Sequence, residues 1–258
     1  MKHIREKLII KKNIIHNENC LKTMENMCDG IIDLTITSPP YDNLREYNGY
    51  SFDFESIAKE LFRVTKKGGI VVWNVFDQKI KDSYTGTSMK QALFFQSIGF
   101  NIHQYLIYEK NSVAFNAKKN GKLYTNIFEF VFILSKGEPA NVNLICDKKN
   151  IWAGESSYDG KVKCVAEFSP RNSIWKINTS ENDKTNHPAV MPEKLCGDLI
   201  MSYSNENDLI YDPFMGSGTT AKMANLLNRN FIGSEISSEY FNASNDRIKK
   251  YVTQQKLF

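Results

Sequence analysis

Residues 31–37 (IIDLTIT) constrain this chain most, because they are apolar enough for a buried strand and run straight into Ser38-Pro39-Pro40-Tyr41. Two successive prolines lack backbone N–H groups and cannot continue a central strand, so the strand must end there and a loop begin. Similar apolar runs alternate with helical spacings along the rest of the chain. That alternation predicts an α/β fold, a mostly parallel sheet with helices on both faces.

Strands are expected at residues 7–16, 31–37, 70–75, 208–211 and 231–236. Helices are expected at 21–27, 54–65, 88–98, 191–203, 220–227 and 238–251. The first long helix is expected to stop at Lys66-Lys67-Gly68-Gly69, which has the composition of a C-cap. Residues 101–108 and 126–134 read as an antiparallel hairpin around the basic loop Lys118-Lys119-Asn120-Gly121-Lys122. A stretch at about 138–185 is polar and lacks long periodic runs, with Trp152, Tyr158, Phe168 and Trp175 irregularly spaced. It reads as an insertion and not as a second core. A chain of 258 residues, 41% hydrophobic, suits one domain over 1–258, with variable insertions at about 111–125 and 138–185.

Five cysteines form no CxxC pair, which argues against a metal-ligand set or a disulfide framework and for a reducing, cytoplasmic setting. Apart from Cys20, they read as small buried hydrophobes. No run reaches the roughly 18 apolar residues of a membrane span, so no membrane association is expected. The net charge of +4 permits a polyanionic partner without demanding one.

Two segments carry chemistry. The first is Asp212-Pro213-Phe214-Met215-Gly216-Ser217-Gly218-Thr219-Thr220, between a strand and a helix. Glycines at such a turn let a ligand approach the backbone, and the helix beyond offers free N–H groups. Glu235, about 20 residues on, is placed to accept the ribose hydroxyls of an adenosine-containing cofactor. A P-loop is excluded, since no lysine follows the second glycine. The dinucleotide pattern GxGxxA also fits residues 216–221, but that fingerprint usually opens its fold, and here only about 40 residues follow it.

The second segment is Ser38-Pro39-Pro40-Tyr41. An exocyclic base amine is a poor nucleophile, because its lone pair is delocalised into the ring. Acceptors such as the Ser38 oxygen and the Pro39 carbonyl, bonded to the amino hydrogens, draw the nitrogen toward tetrahedral geometry. Tyr41 can stack on a base flipped out of the duplex.

With these motifs the chain resembles the amino-methylating DNA methyltransferases, the N4-cytosine and N6-adenine family, in the circularly permuted beta-class order. Thr37-Ser38-Pro39-Pro40-Tyr41 resembles the family's catalytic motif and residues 212–220 its cofactor motif. The resemblance implies a Rossmann-like S-adenosylmethionine-dependent methyltransferase sheet with an inserted target-recognition region. It implies S-adenosylmethionine as cofactor, held by Asp212, Pro213, Phe214, Gly216, Ser217, Gly218, Thr219, Thr220 and Glu235. His187, in Asn186-His187-Pro188-Ala189, is similar to the segment that packs near the methionine part of the cofactor. Asn19 and Cys20 fall where the family borders the adenine, with Asn19 in place of the usual Asp. Double-stranded DNA is the implied partner, along with a homodimer and a cognate restriction endonuclease. The likeness covers nearly the whole chain except about 111–125 and 138–180.

Methylation at cytosine C5 is excluded, since it needs a cysteine nucleophile, usually after a proline, and no Pro-Cys pair occurs. Lys118, Lys119 and Lys122, with Lys148, Lys149 and Arg171 of the insertion, are candidate phosphate contacts. Arg45 and Tyr47 follow the catalytic motif and are candidates for ordering a loop over the flipped base. Ser-Pro-Pro-Tyr is associated within the family more often with N4-cytosine than with N6-adenine, which tilts the expectation slightly toward cytosine. Competing readings are a methyltransferase acting on RNA or a small amine, a catalytically inactive DNA-binding homologue, and a nicotinamide oxidoreductase. The last leaves the Pro-Pro-Tyr motif without a role.

Overall fold

The computed structural model describes residues 11–40, 52–81, 83–111, 124–158, 161–179 and 190–255. The first half of the chain runs β1 (Ile14–His16), α1 (Cys20–Glu25), β2 (Ile32–Thr37), α2 (Phe54–Val64), β3 (Thr65–Val75), β4 (Lys79–Ile80), β5 (Ser83–Tyr84), α3 (Thr87–Ser97), β6 (Asn101–Lys110) and β7 (Phe128–Ser135). It continues through β8 (Cys146–Lys149), β9 (Gly154–Tyr158), β10 (Lys161–Val165), β11 (Phe168–Pro170), β12 (Ile174–Ile177), α4 (Glu193–Tyr203), β13 (Leu209–Asp212), α5 (Thr219–Leu226), β14 (Asn230–Ser234) and α6 (Ser238–Gln255).

Eight strands form the main sheet in the order β1-β14-β13-β2-β3-β7-β6-β12. Only β7 runs against its neighbours, antiparallel to both β3 and β6. This is the expected α/β sheet with its hairpin. The apolar spacing of α2 buries Ile57, Ala58, Leu61 and Val64 with Val71 and Trp73 on one face. Leu195, Cys196, Leu199 and Ile200 of α4 pack with Leu34, Ile36 and Val72 on the other. Both faces are therefore covered, which explains why the central strands read as continuous apolar runs. From β2 the chain moves on to the adjacent β3, and from β13 it moves the other way to β14. The order reverses between β2 and β13, and a crevice opens there at the carboxyl ends of the strands.

Three sequence expectations are corrected. Residues 66–69 do not cap α2. Thr65 ends the helix, its N–H and its Oγ1 both bonding the Leu61 carbonyl, the latter at 2.6 Å, and β3 begins at the same residue. The glycines serve a bulge instead, where pairing passes from Ile32 opposite Thr65 to Leu34 opposite Ile70. Gly68, at φ +83°, leaves no room for a Cβ, which would lie 2.9 Å from Ala140 Cβ. Among the described residues the first strand runs only from Ile14, because Asn13 takes a left-handed φ of 59° and bonds both backbone groups of Phe231, while residues 7–10 of the expected strand lie outside them. Finally, the polar stretch is not all insertion. β8–β11 form two small two-stranded sheets, but β12 returns to the main sheet parallel to β6.

Candidate active site

Asp212 closes β13 and holds the crevice together. Its Oδ1 accepts from Thr37 Oγ1 at 2.7 Å and from the Phe214 N–H at 3.0 Å, and its Oδ2 accepts from Thr220 Oγ1 at 2.7 Å. One buried carboxylate thus fixes the end of β2, the glycine turn and the first turn of α5. Burial raises its pKa against those three bonds. Asp212 is a positioning residue, since its oxygens face the protein. Thr37 had drawn no role from the sequence beyond its place in the motif, and it is the other half of this tie.

The turn beyond it is shaped by glycine. Gly216 and Gly218 have φ of 53° and 83°, and a Cβ at Gly218 would lie 2.9 Å from Ser244 Cβ on α6. Glu235 lies across this turn, 6% exposed. Its Oε2 accepts from the Gly216 N–H at 2.7 Å and its Oε1 from the Ser237 N–H at 2.8 Å. The Ile236 N–H also bonds this carboxylate, which still has acceptor capacity left. Burial pushes the Glu235 carboxyl above its ordinary range, while the Ser237 and Gly216 N–H groups pull it back. Directly after β1, Asn17 Nδ2 donates to the Glu235 carbonyl at 2.8 Å. Asn19 caps α1, accepting from the Leu21 N–H at 2.9 Å. The segment expected to border the adenine is therefore adjacent to the acid expected to hold the ribose.

A second support was missed by the sequence reading. Arg247 of α6 donates through Nη1 to Ser217 O and Ser217 Oγ, each at 3.1 Å, and through Nη2 to Glu193 Oε1 at 2.6 Å. Lys222 of α5 donates to the same Glu193 oxygen at 2.5 Å. Burial opposes ionisation of Glu193, but the bonds from Lys222 and Arg247 outweigh it and hold its pKa low. This clamp joins the glycine turn to the start of α4, which follows the Asn186-His187-Pro188 segment. An isolated arginine in an amphipathic helix gave no signal of it.

On the opposite side of the crevice, Ser38, Pro39 and Pro40 follow β2 directly. Phe214 of the glycine turn meets Phe52 edge-on at 5.7 Å and Trp73 at 6.4 Å, so an aromatic cluster links the turn to β3 and to the segment before α2. Pro213 completes the turn between Asp212 and Phe214. Tyr41, Arg45, Tyr47, Lys118, Lys119, Lys122 and His187 lie outside the described residues.

Arg171 departs from its expected role. Its guanidinium donates to Asp147 Oδ2 at 2.5 Å and to Asp198 Oδ2 at 2.6 Å, and lies 4.9 Å from the Trp175 ring centroid. It fastens the β8–β11 region to α4, and those bonds take up its charge. The same region exposes Ile151, Trp152, Val162 and Phe168. Cysteine burial is also mixed: Cys20 and Cys196 are buried, Cys28 is partly so, and Cys146 and Cys164 are exposed. Burial pushes the Cys20 and Cys196 thiols up to about 12, so neither supplies a thiolate nucleophile.

The sheet order, the switch-point crevice and the paired motifs define a nucleoside-cofactor methyltransferase class. Residues 32–246 match the family of N6/N4 DNA methylases, and the chain belongs to that family. It is 50% identical over 252 residues to the orphan methyltransferase M.BamHII of Bacillus amyloliquefaciens, covering 90% of this chain and 94% of that one. It is 30% identical to the Type II beta methyltransferase M.BslI of Bacillus sp. (strain NEB-606), covering 88% of this chain and 26% of that longer protein. The fold is shared with the PvuII DNA methyltransferase (cytosine-N4-specific), at TM-score 0.72 and 21% identity over 90% of this chain and 85% of that one. It is shared also with M1.HpyAVI in its SAM complex, at TM-score 0.65 and 24% identity over 90% and 98% of the two chains.

Proposed function

We propose that this protein transfers a methyl group from S-adenosylmethionine to the N4 amine of a cytosine flipped out of duplex DNA. The observation that carries this is the juxtaposition across one crevice. Thr37, leading into Ser38-Pro39-Pro40-Tyr41, is bonded directly to Asp212, which opens the glycine turn. Acceptor and donor of the methyl group are thereby held by adjacent strands. Glu235 and the backbone of Gly216 to Thr219 hold the nucleoside part of the cofactor, and Asn19 and Cys20 border its adenine. His187 and the start of α4 flank its methionine end.

The step is an in-line displacement. The Ser38 oxygen and the Pro39 carbonyl accept the N4 hydrogens and localise the lone pair on nitrogen. S-adenosylmethionine, when bound, would supply its sulfonium methyl to that nitrogen, with a neutral thioether as the leaving group, and the extra proton on nitrogen would pass to water, directly or through the Ser38 hydroxyl. Two supports favour cytosine over adenine: the Ser-Pro-Pro-Tyr form of the motif, and the N4-cytosine specificity of the PvuII fold neighbour. Adenine N6 shares the same electronic problem and is the second reading. Of the expected insertion at 138–185, the β8–β11 part acts as the recognition lobe, with Lys148, Lys149 and the exposed Trp152 toward the duplex. The homodimer and the cognate endonuclease rest on the family resemblance alone.

Tyr41→Ala tests the placement of the base. It is expected to lower methyl transfer by about tenfold to a hundredfold and to leave S-adenosylmethionine affinity unchanged. A loss of cofactor affinity instead would contradict the assignment.

A further inference from the structure

A second polar group sits on the same edge of the sheet and has no part in the scheme above. Trp73 is the partner of Thr37, so Asn74, one residue on, is the lateral neighbour of Ser38. Because β7 runs antiparallel, its first residues come to the carboxyl edge of β2 and β3, and Glu129 lies there opposite Tyr108 of β6. Asn74 Nδ2 donates to Glu129 Oε2 at 2.6 Å, and the Lys110 ammonium pairs with Glu129 Oε1. Lys110 Nζ also lies 5.8 Å from the Phe76 ring centroid. Glu129 is only 8% exposed. Further along the same strands and the same face the residues are apolar: Val72, Leu106 and Val131.

A partly buried ion pair, with the Lys110 side chain 25% exposed, is not an efficient way to stabilise a fold. Apolar residues of similar volume commonly do as well, because desolvation offsets the attraction. An ion pair kept at the rim of a sheet, beside a proposed catalytic motif, therefore points to recognition. We infer that Lys110, held by Glu129 and Asn74, reads the ring edge of the flipped base. The inference rests on the function proposed above. Once Ser38 and Pro39 hold N4, a cytosine presents N3 and O2, both acceptors. The ammonium has three N–H donors, and one directed at Glu129 leaves others for that edge. Glu129 fixes the position of the cation, and Asn74 fixes that of Glu129. Lys110 is the specificity contact and the other two are positioning residues.

The test compares two duplexes in the presence of S-adenosylhomocysteine. One carries the methylation site, mapped beforehand on DNA treated with the native protein, and the other is abasic at the target position. Lys110→Met is expected to weaken binding to the first by about tenfold and to leave the second within twofold. Glu129→Gln, which keeps size and shape, is expected to move in the same direction by less, and Lys110→Arg to restore part of the loss. Equal losses on both duplexes, or none on either, would overturn the inference. Native protein that methylates no DNA would instead sink the proposed function, and this inference with it.

Discussion

Two carboxylates divide the work at this crevice. Asp212 points into the protein and accepts from Thr37, Phe214 and Thr220, whereas Glu235 spans the glycine turn with lone pairs to spare. Burial raises both. A raised carboxylate binds its proton more readily in the fold, so the stability it contributes is present at acid pH and is lost as pH rises through the folded value. Ribose hydroxyls favour the ionised form of Glu235, so the sign reverses for cofactor binding. S-adenosylmethionine affinity should fall as pH drops through the raised Glu235 pKa, above the ordinary carboxylate range of about 4.3. Glu235→Gln should bind about tenfold more weakly and lose that pH dependence, as calorimetry across pH would show. An unchanged profile removes Glu235 from the ribose site. The acid's place beside the glycine turn was legible in the sequence, because it ends the strand about 20 residues beyond that turn. The inward commitment of Asp212 was not, since nothing local reveals that Thr37, 175 residues away, is its partner.

At the scale of elements, α6 determines how closely the glycine turn is held. Gly218→Ala forces a left-handed residue with a Cβ against Ser244 and should cost about 1–2 kcal/mol. Adding Ser244→Gly should return the steric part of that loss, a coupling that denaturant titration of the double mutant would detect. Arg247→Met removes the bonds to Ser217 and Glu193, leaving Lys222 as the partner of that acid. It should weaken S-adenosylmethionine binding by about tenfold while leaving the transfer rate at saturating cofactor near normal. A fall in that rate instead would place Arg247 in the chemical step. Elements with a strong period were legible: the hairpin of β6 and β7, the amphipathic α2 and the strand ending at Thr37. Lys66 to Gly69 misled because a Gly-Gly pair after a helix also suits a bulge, and only the pairing of β3 with both β2 and β7 decides between them.

For the whole molecule, the sheet separates the two binding tasks. The proposed cofactor residues gather at β13, β14 and β1, the proposed base site at β2, β3 and β7, and the proposed recognition lobe leads into the far edge through β12. Arg171 ties that lobe to α4, so Arg171→Ala should loosen it without disturbing the cofactor crevice. Limited proteolysis should then cut within 138–170 faster, and DNA affinity should drop, at unchanged S-adenosylmethionine affinity. Lobe strands β8 and β11 were illegible because they bury little: β8 is exposed throughout and Phe168 of β11 is exposed, so no apolar period marks them. The central claim is tested most directly by supplying labelled S-adenosylmethionine and unmethylated mixed-sequence duplex DNA, then identifying the labelled nucleoside by mass spectrometry. The account predicts label in N4-methylcytosine. Label in N6-methyladenine would correct the base alone, and native protein that binds the cofactor yet labels no DNA would contradict the account.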